Sequence, residues 1–313
     1  MDKVFITGGS GFVGAHVVRA YLNEGWEVHV FGPSPKPCLT KVDMAQITFH
    51  QGNIANHDDI KQAVKAADPS LVVSLAAYGD TGQGLLASAA ANESAALQVN
   101  VTGFHNLLST CLFQKVPRVI WASTLAVFGS SKLYKNGVAY DDSARRPETF
   151  YGLTKVLAED IAGFYRAEHG LTLTGLRLPL VFGPGLWYQG VASKIKEIFE
   201  SITEQKAVEI SAPAESIDLM YVKDVARSFI HLTNFNGSLG PIYNLTAYPG
   251  SASAIADIVC ELHPTSRIKV NAVKSSREYP EANGNKLRQE TGFSYKFDLH
   301  EACKDYINEL SGT

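Results

Sequence analysis

The 313-residue chain has no apolar run long enough to span a bilayer, which excludes a membrane-crossing helix. It has no basic block larger than the pair Arg145-Arg146, and its formal net charge is −3. Nucleic acid and anionic membrane surfaces are therefore not expected as partners. Its four cysteines, Cys38, Cys111, Cys260 and Cys303, are scattered and form no CxxC pair. They read as reduced core thiols of a cytoplasmic protein. Nine histidines show no HExxH or comparable spacing, so no metal site is expected. No signal-peptide pattern opens the chain; a strand pattern begins at once. No repeat, low-complexity tract or linker divides it. What is plentiful is apolar: 45% of residues are hydrophobic and 19% charged, enough for one large domain or two intimate ones.

Glycine is concentrated near the start, in "VFITGGSGFVG". Gly8, Gly11 and Gly14 recur at intervals of three between a short apolar run, Val4 to Ile6, and a helical pattern closed by Gly25. "EVHVF" then alternates as a second strand. Strand, glycine turn, helix and strand within about thirty residues make a βαβ unit. Gly8 is suited to the tight turn, Gly11 to admitting a pyrophosphate, and Gly14 to close packing of helix on strand. The N–H groups of Phe12 and Val13 then point at the anion from the helix start. A dinucleotide is the expected ligand of this turn.

The alternation continues. "ITFHQGNI", "LVVSLAAY", "RVIWAS" and "LTLTGLRLPLVFG" read as strands, separated by helices that include one long helix through "ASAAANESAALQVNVTGFHNLLSTCLFQ". The expected fold is α/β: a Rossmann-like, doubly wound parallel sheet with a smaller C-terminal substrate-binding lobe. The dinucleotide-binding domain is placed at 1–179, with about 217–240 returning to it; the lobe is placed at 180–216 and 241–313.

Two segments carry candidate chemistry. Ser123 and Thr124 lie at the carboxyl end of the "RVIWAST" strand, where ligands of such sheets bind. Tyr151 and Lys155 are four residues apart on one helical face, and of thirteen tyrosines only Tyr151 has a lysine at that spacing. The same pair on a solvated face would carry no chemistry. In a cleft, a nearby ammonium and an oxidised nicotinamide favour the phenolate. Moving a phenol from about 10 to about 7 takes roughly 4 kcal/mol. Thr124 would hold the substrate oxygen, Tyr151 exchange its proton, and Lys155 bind the nicotinamide ribose.

Glycine turn, strand-end hydroxyl and Tyr-x-x-x-Lys in this order resemble the extended short-chain dehydrogenase/reductase family, the NAD-dependent epimerase/dehydratase group. "TGGSGFVG" is similar to its TGxxGxxG, "STLAVFG" to its SSxxVYG and "YGLTK" to its YxxxK. "GNI" at Gly52, "LAA" at Leu75, "NVTG" at Asn100, "RLPLVFGPG" at Arg177, "YVKDVA" at Tyr221 and "YNL" at Tyr243 match further landmarks. The resemblance covers almost the whole chain. It implies an NAD(P)-dependent enzyme with Thr124, Tyr151 and Lys155 as its catalytic residues. It also implies cofactor contacts from Asn53, Ile54, Leu75, Ala76, Ala77, Asn100, Pro179 and Val181, and a homodimer built on paired helices.

The departures are specific. Gly32 stands where the NAD-using pattern has an aspartate, and Ser34 and Lys36 follow without the arginine typical of NADP binding. The cofactor is NADP or NAD, with NADP slightly favoured. Asn53 replaces an aspartate beside the adenine. Leu125 and Ala126 replace the Asp-Glu pair of sugar-nucleotide dehydratases. Leu180 and Ile217 replace an Asn and an Arg of many UDP-sugar epimerases. The expected reaction is hydride transfer between a nicotinamide and a small or apolar secondary alcohol or ketone. A sugar or nucleotide-sugar epimerase is the alternative, and a non-catalytic dinucleotide sensor the third. Leu180, Trp187 and Tyr188 are candidates for the substrate pocket. Asp80 reads equally as cleft or turn, and Arg145 and Arg146 read as surface charge.

Overall fold

A computed structural model describes residues 2–79, 82–275 and 277–312. In the first half, β1 (Lys3–Thr7), α1 (Phe12–Asn23), β2 (Glu27–Gly32), the short α2 (Lys41–Met44), β3 (Ile47–Gln51), α3 (His57–Ala67) and β4 (Leu71–Ser74) alternate. Next come α4 (Leu85–Ala91), α5 (Glu93–Leu97), α6 (Gly103–Phe113), β5 (Val119–Thr124), β6 (Val138–Ala139), α7 (Phe150–His169) and β7 (Leu173–Leu178). Then follow β8 (Leu180–Phe182), α8 (Val191–Glu204), β9 (Val208–Pro213), β10 (Ile217–Tyr221), α9 (Val222–Asn234), β11 (Ile242–Asn244) and β12 (Tyr248–Gly250). The chain closes with α10 (Ala252–Leu262), β13 (Ile268–Val273), β14 (Glu281–Ala282), α11 (Asn285–Thr291) and α12 (Leu299–Ser311).

Seven strands pair in the order β11-β7-β5-β4-β1-β2-β3, every pair parallel. The order reverses between β1 and β4, as in a doubly wound sheet. Both faces are covered, so the central strands are largely apolar and alternate between two cores, while the edge strand β3 is only half-buried. Val4, Ile6, Val28, Val30, Val73 and Ile120 face one core, which α1 and α9 cover. Phe5, Phe31, Val72, Val119 and Trp121 face the other, beneath α3, α6 and α7.

Three features differ from the expectation. The long helix is broken at Asn92 (φ −144°, ψ 83°), whose side chain caps α5, and widens into a π-turn over Gln98–Thr102. The strand through Pro179 is split. Proline donates no ladder hydrogen bond, and after it β8 leaves the main sheet to pair with β10, which also pairs with β12. The lobe boundary shifts as well. Of the segment expected to return to the first domain, β10 belongs to the small sheet and α9 covers the main one. Ile242–Asn244, assigned by sequence to the lobe, forms an edge strand of the main sheet against β7.

On β2 and β3, His29 Nδ1 lies 2.9 Å from His50 Nε2, and His29 Nε2 lies 2.9 Å from Glu27 Oε1. With both rings neutral, His50 donates to His29 and His29 to Glu27. Burial, and then the neighbouring His29, hold His50 below the ordinary imidazole value of 6.5. The folded state thus resists protonation that the unfolded chain accepts. The stability contributed by the neutral ring is complete above pH 6.5 and is lost as the pH falls below it. Melting curves of the parent and His50→Gln, taken from about pH 8 to about pH 5, test this. The parent is expected to lose more Tm below pH 6.5; parallel curves would show that His50 is not linked to stability.

Candidate active site

The carboxyl edge of the main sheet positions the site. Gly8 follows β1, Gly32 ends β2, Leu75 follows β4, Thr124 ends β5 and Pro179 follows β7. At the glycine turn, Gly8 has φ +72°, and a Cβ there would come within 2.7 Å of the Ala76 backbone. A Cβ on Gly14 would collide with the Gly8 carbonyl oxygen. The turn is tight and α1 is packed hard against it. The α1 N-cap, Gly11, has no side chain to cap the helix, and the first turn carries no acid. The helix start presents N–H groups and a positive dipole end to the sheet edge. A Cβ on Gly32 would meet nothing within 4 Å. An open space at the end of β2 and an uncapped helix beside it fit a dinucleotide.

The adenosine end is less simple than the sequence suggests. Asn53 Oδ1 accepts from Ala55 N at 3.0 Å, and Asp59 accepts from Asn53 N at 2.8 Å. The amide expected at the adenine is thus already engaged in a local turn, with one oxygen lone pair left. Lys36 does not project freely from its loop; its Nζ lies 5.6 Å from the centre of the Trp187 ring. Ser34 lends its carbonyl to Ser10 Oγ at 3.3 Å. Arg19, a cation near this loop, is held by Asp43 at 2.8 Å and by the Cys38 carbonyl.

The catalytic candidates converge. Thr149 caps α7 by accepting from Gly152 N, which starts the helix one residue before Tyr151. The Thr124 side chain adjoins the Tyr151 phenol and acts to lower its pKa. Lys155 donates from Nζ to the Ala122 carbonyl at 2.9 Å, and its Nζ lies 6.0 Å from the Tyr151 ring centre. Asn100, aimed by the π-turn, accepts from Tyr78 N at 2.7 Å and donates to Thr154 Oγ1 at 3.0 Å. Its side chain braces the loop after β4 against α7. Ile54 is buried, and the half-buried Leu75, Ala76, Ala77 and Pro179 line the same edge, with Val181 just beyond in the core.

Electrostatics differ from the sequence expectation. Tyr151 is pushed above the ordinary phenol value by burial, and further by the Tyr188 phenol, while Thr124 acts the other way. Lys155 does not reverse this. It is itself buried, and burial lowers it to about 8, with Glu159 opposing. In the protein alone Tyr151 is a proton donor at neutral pH.

The segment 183–190 crosses this edge as a strap. The Pro184 carbonyl lies 2.9 Å from His16 Nε2, the Gly185 carbonyl accepts from Cys38 Sγ at 3.2 Å, and Gln189 exchanges backbone bonds with Gly82 and Gly84. Tyr188 packs edge-on to Phe12 at 6.3 Å. Burial, and then Cys38, raise its phenol to about 12. Tyr188 is thus brought to the site, whereas Trp187 lies over Lys36 and is partly exposed. Leu180 and Ile217 pack against the core. Ile217 also lines a cleft of about 250 Å³ between α8, β9 and β10, with Ile195, Ala212 and Leu219. Asp80 lies outside the described residues.

Sequence reasoning missed one cluster. Arg145, read as surface charge, donates to Glu159 at 3.3 Å and to Asp160 at 2.6 Å. Glu159 also receives Arg177 and Ser123. Its position four residues after Lys155, on the same helical face, was the available signal. Arg146 is exposed. Among the described residues no cluster of three or more His, Cys, Asp or Glu suits a metal, and no helix is long and apolar enough to cross a membrane.

The chain is 27% identical to UDP-glucuronate 4-epimerase 4 of Arabidopsis thaliana over 97% of its own length and 74% of that protein. The structure of Thermus thermophilus UDP-glucose 4-epimerase in complex with NAD superposes with a TM-score of 0.84 at 24% identity, covering 99% of both chains. L-threonine dehydrogenase of Clostridium difficile superposes with a TM-score of 0.86 at 23% identity, covering 100% of this chain and 98% of that one. At these identities the two structures show the shared Rossmann-like fold. The model of the NAD dependent epimerase/dehydratase family matches residues 4–246, and the chain belongs to that family, the extended short-chain dehydrogenases/reductases.

Proposed function

We propose that the protein is an NAD(P)-dependent oxidoreductase that moves a hydride between the nicotinamide and a secondary alcohol or ketone. In this reading the first domain binds the cofactor and the lobe binds the substrate. The observation that carries it is the pair of apolar residues, Leu180 and Ile217, packed against the core where many UDP-sugar epimerases have an Asn and an Arg. Ile217 and Leu180 themselves offer no donor to a sugar diphosphate; the cleft at Ile217 is small, and Lys194, Ser211, Glu215 and Ser251 are its polar lining. When bound, the cofactor accepts or supplies the hydride. The chain does the rest. Thr124 orients the substrate oxygen. Tyr151, protonated in the buried site, gives its proton to that oxygen in the reductive direction and takes one in the oxidative direction. Lys155, held by the Ala122 carbonyl, binds the ribose and favours the phenolate once formed.

A second reading, a sugar or nucleotide-sugar epimerase, draws support from the strap. An epimerase keeps its cofactor through the cycle, and segment 183–190 is pinned to both α1 and the loop after β2. A dehydrogenase must open that strap at each turnover. Absorbance at 340 nm separates the two. Purified protein with little bound cofactor, and stoichiometric nicotinamide turnover with an alcohol or ketone, is the expected outcome. Protein saturated with NAD that interconverts sugar epimers without added cofactor would establish the second reading. Tyr151→Phe is expected to lower turnover by about two to four orders of magnitude while cofactor affinity changes little. Near-full activity in that variant would remove Tyr151 from the mechanism.

Cofactor choice in this proposal turns on Gly32. No carboxylate stands at the end of β2 to bind the ribose hydroxyls or repel a 2′-phosphate, which favours NADP(H). Space for a side chain exists there. Gly32→Asp is expected to shift the ratio of kcat/KM towards NAD(H). An unchanged ratio would place discrimination elsewhere.

We also propose a homodimer, in the cytoplasm. The described cysteines are all free thiols, compatible with a reducing compartment. On α7, Leu153, Leu157 and Phe164 are 41%, 36% and 57% exposed, and Leu97 of α5 is 37% exposed. These apolar groups form a face that a second copy, related by a two-fold axis, would cover. Light scattering is expected to give twice the 33.9 kDa chain mass, falling towards one chain in Leu157→Glu/Phe164→Glu. A parent that stays monomeric at every concentration would remove the dimer.

A further inference from the structure

Three consecutive residues at the end of β5 meet three residues along one side of α7. Thr124 adjoins the Tyr151 phenol, the Ala122 carbonyl accepts from Lys155, and Ser123 Oγ donates to Glu159 Oε1 at 2.6 Å. Positions 151, 155 and 159 are spaced by four and share a helical face. The first two rungs are the proposed catalytic pair. The third has no role in the chemistry described so far.

Glu159 is buried, and both its oxygens are occupied. Arg177 donates from Nε to Oε1 and from Nη2 to Oε2, each at 2.8 Å, and Arg145 donates from Nη1 to Oε2 at 3.3 Å. Arg177, 3% exposed, continues from Nη1 to the Asp141 carbonyl and to Asn244 Oδ1. A carboxylate gripped at two points by one planar guanidinium has a fixed orientation. Ser123 is therefore held at a set height against α7. Thr124, the next residue along the strand, inherits that height.

We propose that Glu159 is a positioning residue for the catalytic pair, holding the end of β5 through Ser123 and acting on the Lys155 ammonium through its charge. The proposal rests on the reading of Thr124, Tyr151 and Lys155 as catalytic. Burial opposes the charged form of Lys155, and Glu159 favours it from one helical turn away. The other charged groups at this centre bind Glu159 or its partners: Arg177 from β7, Arg145 from the loop before α7, and Asp160, which pairs with Arg145. On the cleft side stand the phenols of Tyr151 and Tyr188.

Lysine NMR on isotopically labelled protein follows the Lys155 titration without any substrate. The parent midpoint is expected at about 8. In Glu159→Gln it is expected to fall, with NADH binding at about pH 8 weakened several-fold. Should Glu159→Gln not fold, Glu159→Gln/Arg177→Met removes both members of the buried ion pair and takes its place. Ser123→Ala keeps the ion pair. There the Lys155 midpoint is expected to stay at the parent value while kcat falls about tenfold and the cofactor KM stays within about twofold, as for lost alignment of the reacting groups. An unmoved Lys155 midpoint without the Glu159 carboxylate, or full kcat in Ser123→Ala, would overturn the proposal. A midpoint that moves as expected, in a protein inert towards every alcohol and ketone, would instead overturn the functional reading and leave the action on Lys155 standing.

Discussion

The Glu159–Arg177 pair joins the parts of the fold that the site needs in fixed relation. Glu159 belongs to α7, Arg177 to β7, Ser123 to β5 and Arg145 to the loop that leads into α7. Charges this deeply buried are costly unless every polar atom is matched, and here both carboxylate oxygens are. Removing one partner of such a pair typically costs about 3–5 kcal/mol, because the other charge is stranded. The same contact sits one helical turn from Lys155. In the positioning role proposed for Glu159, one cluster links the packing of α7 on β5 and β7 to the electrostatics around Lys155.

At the opposite side of the cleft, the constraint is steric. Gly8 and Gly14 bring β1, α1 and the loop after β4 closer than any side chain would permit. That closeness aims the start of α1 at the sheet edge where β1 and β4 diverge. The strap then closes over the same edge through His16, Cys38 and the backbone of Gly82 and Gly84. Burial is the main cause of the raised phenols of Tyr151 and Tyr188. A tyrosine in a covered site keeps its proton at neutral pH and becomes a base only when a cation arrives beside it. Lys155 alone does not suffice, since the same burial weakens its own charge.

Much of this was legible along the chain because it depends on local pattern. The strand–glycine–helix unit, the strand-end hydroxyl at Thr124 and the four-residue spacing of Tyr151 and Lys155 are short-range features. Other readings failed where a single cap or proline, or a distant contact, decides the outcome. Asn92 breaks a continuous apolar helix by turning its side chain into a cap. Pro179 ends a strand that looked unbroken and sends β8 to a partner forty residues on in sequence, at Leu219–Tyr221. Arg145, in a loop with a second arginine, looked like solvated charge; only folding brings Glu159 and Asp160 to it. Lys36, an apparent phosphate partner, is drawn to Trp187 of the strap.

By itself the sequence determined the α/β alternation, the parallel sheet, the dinucleotide turn and the identity of the three catalytic candidates, because periodicity and spacing act within a few residues. Only the tertiary structure decided which charges are free and which are spent, where the lobe leaves the main sheet, and in which direction burial moves Tyr151 and Lys155. Those outcomes depend on solvent exclusion and on contacts between residues far apart in the chain, such as Glu159 with Arg177 and Cys38 with Gly185. Neither the dielectric around a group nor its partner is written in the residues next to it.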